Sequence, residues 1–290
     1  MSPLATSRAR IAADDALQHD GSARPSEALA ALFSAPVAAA ELSRPADVSP
    51  GWRLARQARL TAEERACVRH CHARRIQDFT VGRLCAHRAL QSYGIEGFSL
   101  VAGPDRLPRW PPGFTGSITH TDGYSAAVIG RVSEVLSLGL DSERIEEVQP
   151  MLWRGICSPE ELRLLAQAPP QRRVWLAALT FVAKEAFYKC QYPLTHEQLG
   201  FDAVCVRLLS SDGAACWPPA SGSFEIRPLR PLRLRGLLAP AESEAAEPCW
   251  PGRFRQHDGY LSAAIGFPAA QRISTPSRRE TPSAPSAAGS

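Results

Sequence analysis

Apolar and polar positions along this chain alternate between two periods, and the switches between them mark the predicted elements. Thr61 followed by Glu64 makes a capping-box pattern, and "ACVRHCHARRIQDFTVGRLCAHRALQSYG" keeps helical character until Gly94, predicting one helix. Pro104, Pro108, Pro111 and Pro112 then impose an irregular loop, after which "GSITHTDGYSAAVIG" and "VLSLGLDSE" read as two strands joined by a turn near Gly130. Ser158 ahead of Pro159, Glu160 and Glu161 signals a helix start. A second helix is predicted from about 171 to 191, stopping before Pro193, and strand-like segments follow at 203–209, 223–238 and 258–267.

The ends of the chain lack this order. Residues 1–30 are rich in Ala, Ser and Arg, and residues 269–290 in Ser, Pro, Arg and Ala, so both are expected to be disordered. Between them, "DGYSAAVIG" at 122–130 and "DGYLSAAIG" at 258–266 agree at six positions. Each copy closes a run of helix, loop and strands. The expected architecture is therefore α+β, with two similar halves, 31–134 and 135–268, in which helices pack on small antiparallel sheets related by a pseudo-twofold. A ligand is expected where the halves meet.

Composition narrows the function without naming it. A length of 290 residues is enough for a sizeable core, and a formal charge of +4, dispersed along the chain, gives no nucleic-acid footprint. Eight irregularly spaced cysteines, no secretory leader and no apolar run of membrane length predict a cytoplasmic protein with reduced thiols. Cys67, His70, Cys71 and His72 raise the question of zinc, but they fall on a predicted helix where successive residues diverge, with no second Cys/His pair at zinc-finger distance.

The chemistry concentrates in three stretches. In the helix that carries "FVAKEAFYKCQYP" at 181–193, Trp175, Leu179, Val182 and Ala186 form the buried stripe. Glu185 lies on its flank, Lys189 one turn later beside it, and Lys184 nearly opposite. An ordinary solvated Glu-Lys pair explains this helix taken alone. In "SLGLDSE", strand alternation sends Leu136, Leu138 and Leu140 one way, and Ser137, Gly139, Asp141 and Glu143 the other. Two carboxylates about 7 Å apart at their backbones repel unless a cation lies between them, and oxygen ligation with few protein groups suits Mg2+. In "GSITHTDGY", His120 is surrounded by Gly116, Ser117, Thr119 and Thr121, a setting of amides and hydroxyls able to cradle phosphate.

Taken in order, "RRIQDFTVGR", "DRLPRWPPGFTGSITHT", "GLDSE" and "LTFVAKEAFYKCQYP" resemble the 4'-phosphopantetheinyl transferase family in its two-half, enterobactin-synthase-type branch, over roughly residues 45–268. Leu140, Thr119, Asp78 and Val182 depart from the commoner residues, and none removes a carboxylate, the histidine or a helix lysine.

The resemblance implies an enzyme that moves the phosphopantetheine arm of coenzyme A onto a serine of an apo acyl or peptidyl carrier protein and releases adenosine 3',5'-bisphosphate. It implies Mg2+ on Asp141, Glu143 and Glu185. Lys184 and Lys189 are expected on the phosphates, with Arg75, Arg83 and His120 also in the coenzyme A site. Arg106 and the Thr119 backbone are expected beside the adenine and 3'-phosphate. Glu185 is the expected base, directly or through a metal-bound water. Two fused halves imply a monomer, with no nucleic-acid or membrane partner. A catalytically silent coenzyme A or nucleotide-binding protein, or another metal-dependent phosphoryl enzyme, stands as the alternative.

Overall fold

Two Asp-Gly turns organise the molecule. In the computed structural model, which describes residues 22–44, 49–211, 217–233 and 249–269, Gly123 and Gly259 adopt left-handed φ values of 78° and 80°. Glycine takes that conformation without a Cβ penalty. Each closes an antiparallel hairpin and is followed by a tyrosine, and the rings of Tyr124 and Tyr260 meet at 5.2 Å between centroids. The internal echo thus marks two corresponding hairpins that face each other.

Along the first half run β1 (Arg24–Pro25), α1 (Glu27–Ala30), β2 (Val37–Ser43), α2 (Pro50–Gln57), α3 (Ala62–Val68), α4 (Ala73–Gln91), β3 (Phe114–Thr121) and β4 (Tyr124–Arg131). The second half contains β5 (Val135–Arg144), α5 (Trp153–Ile156), α6 (Pro159–Gln167), α7 (Pro170–Thr195), β6 (Val204–Ser211), β7 (Ser221–Pro228), β8 (Trp250–His257) and β9 (Tyr260–Pro268). The sheets are ordered β1-β2-β4-β3 and β5-β9-β8-β7-β6, with every pairing antiparallel. In each half a strand, a long helix and a hairpin follow one another, and the hairpin's second strand pairs with the opening strand. This is the mixed helix and antiparallel-sheet architecture expected from the sequence.

Burial follows from that arrangement. Val81, Cys85 and Ala86 of α4 pack with Leu42 and Ala127. On the other side α7 is covered nearly all round, with Ala178, Val182, Ala186 and Phe187 in the core formed with β7, β8 and β9. A third core joins the halves, where Tyr124, Ala126 and Val128 meet Leu138, Leu140, Tyr260 and Ala264.

Several boundaries differ from the sequence expectation. Residues 22–30 are ordered, because Ser26 caps α1 and Leu29 is buried in the core between the halves; residues 1–21 lie outside the described residues. The helix expected from Thr61 to Gly94 is two, since the chain breaks after Val68 and His72 caps α4 by accepting from the Arg75 N–H. Residues 114–144 form three strands, with the first turn at Asp122-Gly123. Helix α7 continues through Pro193 to Thr195, as a proline in the last turn costs few helix bonds. Strand β7 ends at Pro228, and positions 234–238 of that expectation lie outside the described residues, as does the tail from 270. Strands β2 and β8 went unpredicted: β2 reads "VAAAELS", whose alanines carry no strand signal, and Pro251 and Gly252 interrupt the pattern of β8.

Candidate active site

The site forms where the edge strands of the two sheets meet. β3 and β5 are both edge strands, and side-chain hydroxyls join them. Ser117 Oγ accepts from the Leu140 N–H at 3.0 Å, and Thr119 Oγ1 accepts from the Ser142 N–H at 3.0 Å. The same Thr119 hydroxyl donates to Asp141 Oδ1 at 3.0 Å, while Thr121 Oγ1 donates to Glu143 Oε2 at 2.7 Å. Residues 117, 119 and 121 share one face because strand side chains alternate. That period-two run of hydroxyls is visible in "SITHT", although its partner strand is not.

Helix α7 closes the seam from one side. The Lys189 ammonium donates to Asp141 Oδ1 at 2.7 Å, to the Ile118 carbonyl at 3.3 Å and to the Leu140 carbonyl at 3.2 Å, so one side chain contacts both strands. Asp141 is buried, and among the described residues its Oδ2 has no hydrogen-bond partner. Burial first, and then the charge of Asp141, pushes the Glu143 carboxyl up to about 7. The same two causes, in the same order, raise Glu185. The three acids therefore share one electrostatic neighbourhood.

These acids suit a divalent ion by the chemistry of their oxygens and by the orphaned Asp141 Oδ2. Among the described residues, no three His, Cys, Asp or Glu side chains are gathered closely enough to enclose a metal by themselves. Mg2+ commonly keeps several waters and takes only one or two protein carboxylates, so it does not need all three acids in direct contact.

Beside the carboxylates is a cavity of about 300 Å3 between α4, the 102–110 loop, β3 and α7. Arg75, Arg83, Arg106, His120 and Lys189 line it, with Asp78 the one acidic residue among the described lining, so its field favours an anion. Trp110, Leu107, Tyr188 and Tyr192 supply apolar and aromatic walls. Arg83 is held by donation from Nε to the Leu100 carbonyl at 2.6 Å and by stacking over Phe79, and burial lowers its pKa to about 10. Enclosure by protein holds His120 below the usual imidazole range, although the ring remains solvent-accessible through the cavity. Arg106 has a left-handed φ of 66°.

One sequence-based assignment is corrected. Lys184 does not face the cavity: it is 2% exposed, and its three N–H donors go to Glu161 Oε2 at 2.6 Å, the Ile156 carbonyl at 3.0 Å and the Phe201 carbonyl at 2.7 Å. Its ammonium is enclosed in the core away from the cavity, whereas that of Lys189 is partly exposed at the cavity wall. The Thr119 side chain is buried in the seam, where its hydroxyl serves Asp141 and β5; the sequence expectation concerned its backbone. Sequence reading missed Glu161 as the partner of Lys184, since 23 residues separate them and only the packing of α6 against α7 joins them.

Comparison with known proteins decides the class. Residues 63–130 match the 4'-phosphopantetheinyl transferase N-terminal domain, and residues 137–217 match the 4'-phosphopantetheinyl transferase superfamily. The 4'-phosphopantetheinyl transferase Npt of Nocardia iowensis is 31% identical over 206 residues, covering 71% of this chain and 88% of Npt. The chain belongs to the 4'-phosphopantetheinyl transferase superfamily. Among other phosphopantetheinyl transferases, PptT of Mycobacterium tuberculosis is 36% identical over 140 residues, 48% of this chain and 61% of PptT. Enterobactin synthase component D of Escherichia coli K12 is 32% identical over 126 residues, 43% of this chain and 58% of that protein. The two matched regions contain the site: the first carries α4, the 102–110 loop and β3, and the second carries Asp141, Glu143, Glu185 and Lys189.

Proposed function

We propose that this phosphopantetheinyl transferase moves the arm of coenzyme A onto a serine of an apo acyl or peptidyl carrier protein and releases adenosine 3',5'-bisphosphate. The observation that carries this reading is the position of Lys189, which lines the cationic cavity and also pairs with Asp141, joining an anion site to a carboxylate cluster. Arg75, Arg83, Arg106 and His120 hold the phosphates of coenzyme A, and the apolar walls receive its less polar parts. Asp141, Glu143 and Glu185 would hold Mg2+, not all three by direct contact at once. When bound, the ion supplies positive charge against the pyrophosphate.

The chain's own residues do the rest. The cavity cations orient the pyrophosphate, and phosphoryl transfer to a hydroxyl depends chiefly on such positioning and on neutralised charge. The serine oxygen forms a bond to the β-phosphorus as the bond from that phosphorus to the bridging oxygen breaks, and the electron pair leaves with the bisphosphate. Lys189 offsets that departing charge. Glu185 takes the serine proton directly or through a water; burial and Asp141 raise its carboxyl when no ion is bound, and a bound cation would oppose that rise. The repeated strand-helix-hairpin order supports a pseudo-twofold between the halves, and the fused halves support a monomer.

The test is mass spectrometry of purified apo carrier proteins incubated with the chain and coenzyme A, with Mg2+ or with a chelator. Gain of one phosphopantetheine arm only with Mg2+ supports the proposal. Tight coenzyme A binding without transfer to any carrier, or undiminished transfer in chelator, contradicts it.

A further inference from the structure

The hydroxyls that join the two sheets also sort the carboxylate oxygens. Asp141 Oδ1 takes two donors, Thr119 Oγ1 at 3.0 Å and Lys189 Nζ at 2.7 Å, while Oδ2 is left without a partner. Glu143 Oε2 takes Thr121 Oγ1 at 2.7 Å, and among the described residues no hydrogen bond reaches its Oε1. Each acid therefore has one anchored and one unengaged oxygen. Thr119 is itself fixed, because its oxygen accepts from the Ser142 N–H at 3.0 Å as it donates to Asp141. Thr121 is buried, and as a β-branched residue it has few side-chain rotamers in a strand. A glutamate has three side-chain torsions, so a hydrogen bond from a stiff partner removes most of the freedom it would lose on binding an ion.

We propose that Thr121, with Thr119 beside it, is a positioning residue for the metal site: β3 of the first half anchors one oxygen of each β5 carboxylate and leaves Glu143 Oε1 and Asp141 Oδ2 for the ion. This rests on the reading of Asp141, Glu143 and Glu185 as the Mg2+ ligands. It gives the first half a part in the chemistry of the second, through residues that touch neither substrate nor metal. Outer-shell partners of ligating carboxylates commonly change affinity or activity 10- to 100-fold.

The test uses the full chain without coenzyme A and Mn2+ as the probe, with free ion measured by electron paramagnetic resonance. Thr121→Val keeps the shape and removes the donor, Thr121→Ser keeps the donor, and Glu143→Gln removes the ligand. The expected result is a Kd for Mn2+ raised about 10- to 100-fold in Thr121→Val and within about threefold of the parent in Thr121→Ser. Circular dichroism melting accompanies each variant, and Thr121→Ala replaces Thr121→Val if the latter does not fold. If Glu143→Gln weakens Mn2+ binding but Thr121→Val does not, the positioning role is wrong and the metal reading stands. If Thr121→Ser is as weak as Thr121→Val, side-chain shape and not the hydroxyl is responsible, and the proposal is again wrong. If Glu143→Gln leaves Mn2+ affinity unchanged, the metal reading fails and takes this one with it.

Discussion

A Cβ built on Gly139 would lie 1.8 Å from the Ala186 carbonyl oxygen. Strand β5 and helix α7 are therefore in backbone contact at the level of the site, and that contact sets where Glu185 sits relative to Asp141. Gly139→Ala must push the helix away, because backbone cannot yield as a flexible side chain does. The expected cost is about 1–3 kcal/mol or more, with a loss of transfer rate that persists when the protein is folded. Gly155→Ala is the control, since nothing lies within 4 Å of its Cβ, and both stability and rate should be nearly unchanged. Urea denaturation and steady-state rates on the two variants check this.

Lys184 and Lys189 lie on one helix and should fail in different ways. Lys184→Met leaves Glu161 buried without its ammonium, so stability should fall by about 3–5 kcal/mol. The KM for coenzyme A of the remaining folded protein should stay within about threefold. Lys189 is partly exposed at the cavity but pairs with buried Asp141, so Lys189→Met should also lower stability, by less than Lys184→Met, and should remove most of the transfer rate. Denaturation curves and coenzyme A kinetics separate the two. A Lys184→Met protein of normal stability with a much raised KM would return that residue to the phosphate site.

The difference between these lysines marks the limit of what the sequence discloses. Helical spacing correctly put Trp175, Leu179, Val182 and Ala186 in the core and Lys184 on the opposite side. It could not show that the opposite side is also buried, because that depends on α6 and on the turn at Phe201–Ala203 packing there. Alternation along β5 likewise grouped Ser137, Gly139, Asp141 and Glu143, yet both faces of the strand are covered, one by α7 and the other by the core between the halves. Period and propensity are local signals, whereas β2, β8 and the hydroxyl seam exist because of partners distant in sequence.

Acidity in the cluster predicts how Mg2+ stabilisation depends on pH. With Glu143 raised to about 7 in the metal-free fold, its proton is held more tightly folded than unfolded. That contribution is fully present below the unfolded value near 4.5 and is lost as pH rises through about 7. His257, lowered to about 4 chiefly by burial, acts in the opposite sense between about 4 and 6.5. Comparing melting temperatures with and without Mg2+ at each pH largely cancels His257, which is not a proposed ligand. The increment due to Mg2+ should grow from pH 6 to pH 8 as Glu143 becomes available, and a constant increment would show that Glu143 does not bind the ion.

Arg106 combines a left-handed backbone with a place in the cavity wall. Arg106→Gly relieves the backbone and removes the cation, so stability should hold or rise while the KM for coenzyme A increases about 10- to 100-fold, the worth of one charged hydrogen bond. Arg106→Lys should recover part of that loss. Isothermal titration with coenzyme A, paired with thermal melting, distinguishes a binding role from a merely conformational one.

The most direct test of the account is the single-turnover rate of arm transfer to an apo carrier protein, measured by mass spectrometry at saturating coenzyme A and Mg2+, for the parent chain and Glu185→Gln. The account predicts transfer by the parent and a rate at least about 100-fold lower in the variant, from loss of a ligand and a proton acceptor together, with the fold intact by circular dichroism. Equal rates for the two proteins would contradict it.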